Sequence, residues 1–63
     1  MYRNELLNIW RISLCALSHL AYAPTRHDRL VWATNEFLRE HPEQLRKDIY
    51  LELDALTREY YEC

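Results

Sequence analysis

Cys15 and His19 stand four residues apart. On a helix that spacing can aim two ligands at one metal ion, or set a thiol beside an imidazole. A zinc site needs two more ligands. His27, His41 and Cys63 are scattered along the chain, and neither CxxC nor HExxH occurs. No third group is placed to orient a thiol–imidazole dyad. The pair therefore assigns neither a metal, a cofactor nor a reaction, and the chain reads as a binding protein rather than an enzyme.

A second pattern is electrostatic. In "KDIYLELDALTREYYEC", Asp48, Glu52, Glu59 and Glu62 fall along one line of a helix with Ala55 between them, within an arc of about 80°. Acidic residues four apart on a helix repel by a few tenths of a kcal/mol, and carboxylates near a helix C-terminus also oppose its dipole. The same segment orders charges favourably elsewhere, with Glu43 four before Lys47 and Asp54 four before Arg58. Either arginines on a neighbouring helix (Arg11, Arg26 or Arg29) answer the acidic line, or it faces solvent, or it faces a basic partner protein. Carboxylates presented in this way can take the place of phosphates on a nucleic-acid-handling protein.

Trp32 is the first aromatic candidate for such contacts. Helical spacing puts it opposite Leu30 and Phe37, among Asp28, Glu36 and Arg39, and Trp is enriched where binding energy concentrates. Tyr50 and Tyr61 project away from the apolar stripe of their helix, with Thr57 between them; an aromatic body with a polar tip suits an interface. The protein-binding set is thus Trp32, Asp48, Glu52, Glu59, Glu62, Tyr50 and Tyr61. A DNA-binding helix-turn-helix regulator is the alternative. It would use "HPEQ" as the turn and Gln44, Arg46 and Lys47 as the start of a recognition helix. The acids that follow Lys47, the net charge of −2 and the lack of the usual turn glycine weigh against nucleic acid.

The elements that must position these residues are helices. Sixty-three residues make one domain, 1–63, small enough to need help from oligomerisation or an unusually good core. The chain has no Gly and two Pro, whereas strand-rich folds of this size need tight turns and the residues that make them. The fold class is all-α: a three-helix bundle, or a helical hairpin plus a third helix. Helix 1 is expected from about Asn4, as N-cap, to Tyr22, ending before Pro24. Helix 2 starts with Thr25 as N-cap of a "TRHD" capping box and runs to about Glu40. Helix 3 starts at Pro42, a favoured first helical residue, and runs to about Tyr61.

Helix 3 should bury Leu45, Ile49, Leu53, Leu56 and Tyr60; helix 2, Leu30, Val31, Ala33, Phe37 and Leu38. Apolar residues cover about half the circumference of helix 1, more than a surface helix needs. Leu7, Trp10, Leu14, Leu17 and Ala21 follow the spacing of a coiled-coil edge, which suggests a homodimer seam.

Two cysteines are too few for a disulfide framework, and an intermolecular bridge through Cys63 is the one disulfide to consider. "RISLCALSHLAYA" has the texture of a signal peptide, but Glu5 precedes it and His19 interrupts it. No apolar run approaches the roughly 20 residues of a membrane span. The reading is a cytoplasmic protein with no membrane partner. In size and texture the chain is similar to small helical regulators carried by phages and plasmids, a likeness that transfers no residue.

Overall fold

A computed structural model describes residues 2–61 as a three-helix bundle. Glu62 of the acidic line and Cys63 lie outside the described residues. The helices are α1 (Arg3–Ala16), α2 (Arg26–Glu40) and α3 (Arg46–Tyr61), and each packs on both others. Among the described residues no helix is long and apolar enough to cross a membrane.

The start of α2 follows from its sequence. Thr25 Oγ1 accepts from the Asp28 N–H at 3.1 Å, and the Thr25 N–H donates to Asp28 Oδ2 at 3.0 Å. This reciprocal box satisfies two donors that the first turn would otherwise leave open.

The other expected helix ends need correction. Helix 1 is capped by Tyr2 with no side-chain bond, so Asn4 lies inside the first turn. It stops at Ala16, six residues short of Tyr22. Ser18 Oγ donates to the Cys15 carbonyl at 2.7 Å, and His19 Nδ1 donates to the Ala16 carbonyl at 3.0 Å. Side chains thus satisfy carbonyls that a continuing helix would have used. Helix 3 begins at Arg46, not Pro42; residues 42–44 form a turn closed by the Gln44 N–H on the His41 carbonyl.

The core contains Leu6 and Trp10 of α1, Leu30, Ala33 and Phe37 of α2, and Ile49 and Leu53 of α3. Tyr2, Ile9, Trp32, Leu38, Tyr50 and Leu56 pack against it as partly buried neighbours. At the open end of the α1–α2 pair, away from their connecting loop, Tyr2 meets the Phe37 ring edge-on at 5.0 Å, and His41 stacks on Phe37 at 4.3 Å. His41 Nε2 lies 3.0 Å from Glu5 Oε2; an ionised carboxylate only accepts, so this nitrogen carries the proton. These contacts run from the start of α1 to the end of α2, so the two helices are antiparallel.

Several residues sit differently from expectation. Leu45 precedes α3 and is exposed, as are Tyr60 and Val31. Thr57, expected outside, is fully buried, and Tyr50 packs inward. The seam expected on helix 1 is not one stripe. Trp10 is 4% exposed within its own core, and Leu17 and Ala21 lie beyond the end of α1. Leu7 is partly buried, leaving Leu14 as the well-exposed member on the helix.

Candidate functional site

The geometry of the acidic line depends on what the arginines do. Arg26, in the first turn of α2, reaches across to α3. Its Nη1 donates to Asp54 Oδ1 at 2.5 Å, and its Nη2 donates to the Asp54 carbonyl at 3.1 Å and to Thr57 Oγ1 at 2.7 Å. Thr57 in turn donates to the Asp54 carbonyl at 2.9 Å. A hydroxyl in the core is thereby satisfied from a charged side chain, as a buried polar group requires.

Arg29 performs the same service toward α1. Nε donates to Ser13 Oγ and Nη2 to the Trp10 carbonyl, both at 2.8 Å, while the guanidinium lies 3.9 Å from the centre of the Trp10 ring. Ser13 Oγ donates to the same Trp10 carbonyl at 2.6 Å. Burial lowers the pKa of Arg29, opposed in smaller measure by Tyr61. Both arginines are structural cross-ties built on Ser13 and Thr57.

Among the described members of the acidic line, the expected pairing with these arginines is not seen. Among the described residues, neither they nor Arg11 bonds Asp48, Glu52 or Glu59, which stand exposed with Ala55 on α3. Of the two favourable i,i+4 pairs, Asp54 and Arg58 do meet, at 3.3 Å. Glu43 instead lies 3.8 Å from His41, because it precedes α3.

The hydrogen bond from Arg26 holds the Asp54 carboxyl below its ordinary value. Desolvation opposes this in smaller measure, and Arg58 adds to the downward pull. A depressed carboxyl contributes stability that is present above its unfolded pKa, about 3.9, and is lost as pH falls through the lower folded value. The gap in melting temperature between wild type and Arg26→Gln is therefore expected to narrow as pH drops below about 4. It should not close, because the bonds to Thr57 and the Asp54 carbonyl do not titrate. A gap that is constant from neutral pH to strong acid would contradict this.

The aromatic candidates do not gather at one site. Tyr50 places its hydroxyl 3.0 Å from His27 Nδ1 on α2, whereas Tyr61 is exposed at the end of α3. Trp32 is partly buried beside the core and lines a groove of about 620 Å³ between α1 and α2, to which α3 contributes no residue. The chain thus presents two surfaces: an acidic face on α3 and an aromatic groove between α1 and α2. Arg46, one of the residues proposed for base contacts, bonds Asn35 Oδ1 of α2.

Cys15 is exposed, and His19 lies past the helix end, so helical i,i+4 geometry does not join them. Among the described residues no three His, Cys, Asp or Glu side chains are grouped to hold a metal ion.

No protein-family model, no curated protein and no solved structure matches this chain.

Proposed function

We propose that this chain is a small protein-binding regulator or inhibitor, and that its acidic α3 face meets a basic, nucleic-acid-handling partner protein. The observation that carries the reading is that Asp48, Glu52 and Glu59 share one exposed face and pair with no described residue. Repulsion along this line costs the isolated helix a little, and no bond within the described chain offsets it. A basic partner would offset it, and such complementarity mainly speeds encounter and selects partners. Function on this reading is binding, not catalysis.

The double change Glu52→Gln with Glu59→Gln tests it. The melting temperature should hold or rise slightly, because repulsion is relieved and no bond is lost. Association with a basic partner should slow severalfold, and wild-type binding should weaken with added salt. A clear fall in melting temperature would mean that the line is internally paired after all. Random duplex DNA at low salt should not be retained. Tight, steeply salt-dependent retention would favour the helix-turn-helix alternative, since such a slope counts displaced phosphate counterions.

A further inference from the structure

The groove between α1 and α2 has an apolar floor and an acidic rim. Ile9 and Ile12 of α1 and Trp32 of α2 form the floor; Glu5, Glu36 and Glu40 stand around it, with Asn8 completing the lining. No Lys or Arg lines the groove. Glu5 is held by His41 and Glu36 by the exposed Arg39, while Glu40 has no partner among the described residues. Ile12 is 55% exposed, which is a large apolar side chain left open to water beside an indole.

The two walls are antiparallel helices. Trp32 to Glu40 spans about 12 Å and Glu5 to Ile12 about 10 Å at 1.5 Å per residue. That length matches roughly two turns of a docked helix, which presents apolar anchors at i, i+3 or i+4, and i+7.

We infer that this groove receives an amphipathic helix of another protein, with its apolar stripe on Ile9, Ile12 and Trp32 and its flanking lysines or arginines opposite Glu36 and Glu40. The inference rests on the reading of the chain as a binder of basic proteins, and adds a second contact surface that α3 does not line. Apolar anchors supply affinity in such grooves, while the rim charges reject acidic helices. With Glu40 unpaired among the described residues and no Lys or Arg in the lining, the rim favours a basic segment over an acidic one.

The test uses the whole chain, labelled with ¹⁵N, and a synthetic helical peptide of about 14 residues, four turns long. The peptide carries leucines at i, i+3 and i+7 with lysines flanking them. A second peptide keeps the leucines and replaces the lysines by glutamates; a third keeps the lysines and scrambles the leucines. The lysine-rimmed peptide should shift the indole signal of Trp32 and the amides of Ile9 and Ile12, and leave the Trp10 indole in place. Both control peptides should bind at least tenfold more weakly. Trp32→Ala should lower affinity by at least tenfold. Because Trp32 also touches the core, the exposed Ile12→Asp provides a second variant, expected to abolish binding with little change in melting temperature.

Four results would overturn the inference: an unmoved Trp32 indole at millimolar peptide, equal binding of the glutamate-rimmed peptide, equal binding of the scrambled peptide, or shifts at the groove that follow protein concentration alone. The last would make a second copy of this chain the occupant. Glu52→Gln/Glu59→Gln should leave peptide affinity within twofold. If it weakened the peptide as strongly as Ile12→Asp, the peptide would sit on α3 and the groove would fail while the acidic-face reading stood. Groove binding alongside partner association indifferent to the α3 change would be the reverse outcome, removing the α3 reading and leaving the groove.

Discussion

Phe37→Ala is expected to leave the chain unfolded at room temperature. Phe37 has no exposed surface, and its ring is the floor on which His41 stacks and against which Tyr2 packs. Truncating a buried Phe typically costs about 3–5 kcal/mol, through lost burial and the cavity left behind. A single core of this size seldom supplies more than about 3–5 kcal/mol in total. The loss here also undoes the junction of α1 and α2, since Tyr2 and His41 both rest on this ring. Circular dichroism should show little helix and no cooperative melt. Phe37→Leu, which keeps most of the volume, should remain folded with a lower melting temperature. A cooperative transition for Phe37→Ala within about 5 °C of wild type, equivalent to roughly 1 kcal/mol, would show that the ring is not central to the core.

Arg29 should behave as a core residue despite its charge. Arg29→Ala removes the bonds to Ser13 Oγ and the Trp10 carbonyl, together with the contact over the indole. Hydrogen bonds from charged groups contribute about 1.5–3 kcal/mol each, and a partly desolvated cation over an aromatic face about 1–2. Ser13 keeps its own bond to the Trp10 carbonyl, so the losses are not simply additive. A net cost of about 3 kcal/mol, or some 15 °C in melting temperature, is expected. Arg29→Lys should recover little of it. The two bonds leave from different nitrogens of one planar group, and an ammonium cannot reproduce that fork or its stacking. Arg29→Met preserves the apolar stem and tests whether covering Trp10 is enough. Near-wild-type stability of the methionine variant would contradict the assignment of Arg29 as a cross-tie.

These two residues also mark where the sequence could be read and where it could not. Phe37 follows from the helical spacing with Leu30 and Ala33, and the limits of α2 follow from the Thr25–Asp28 box and Pro42. Three helices were legible because the absence of glycine leaves few alternatives. The end of α1 was not, because Leu17, Leu20 and Ala21 continue the apolar rhythm while Ser18 and His19 end the helix through their side chains. The roles of Arg26 and Arg29 were hidden for a related reason. An apolar pattern assigns Ser13 and Thr57 to the surface, yet Thr57 lies four residues after Leu53 and eight after Ile49, and Ser13 seven after Leu6. A hydroxyl in phase with the core stripe is the signal that a donor must arrive from another helix. The exposed acidic residues were legible from their spacing. The place of Trp32 in a groove that α3 does not line was not, because the placement of the indole beside α1 depends on how the helices pack.

The most direct measurement is a comparison of what wild-type protein and the Glu52→Gln/Glu59→Gln variant capture from a lysate of the native host at low and moderate salt. The expected result is a basic protein held by the wild type, released as salt rises, and depleted severalfold on the variant, with both proteins melting at similar temperatures. Capture of the same proteins in the same amounts by both, or retention of duplex DNA in place of a protein, would contradict the proposal that the acidic face of α3 recognises a basic partner.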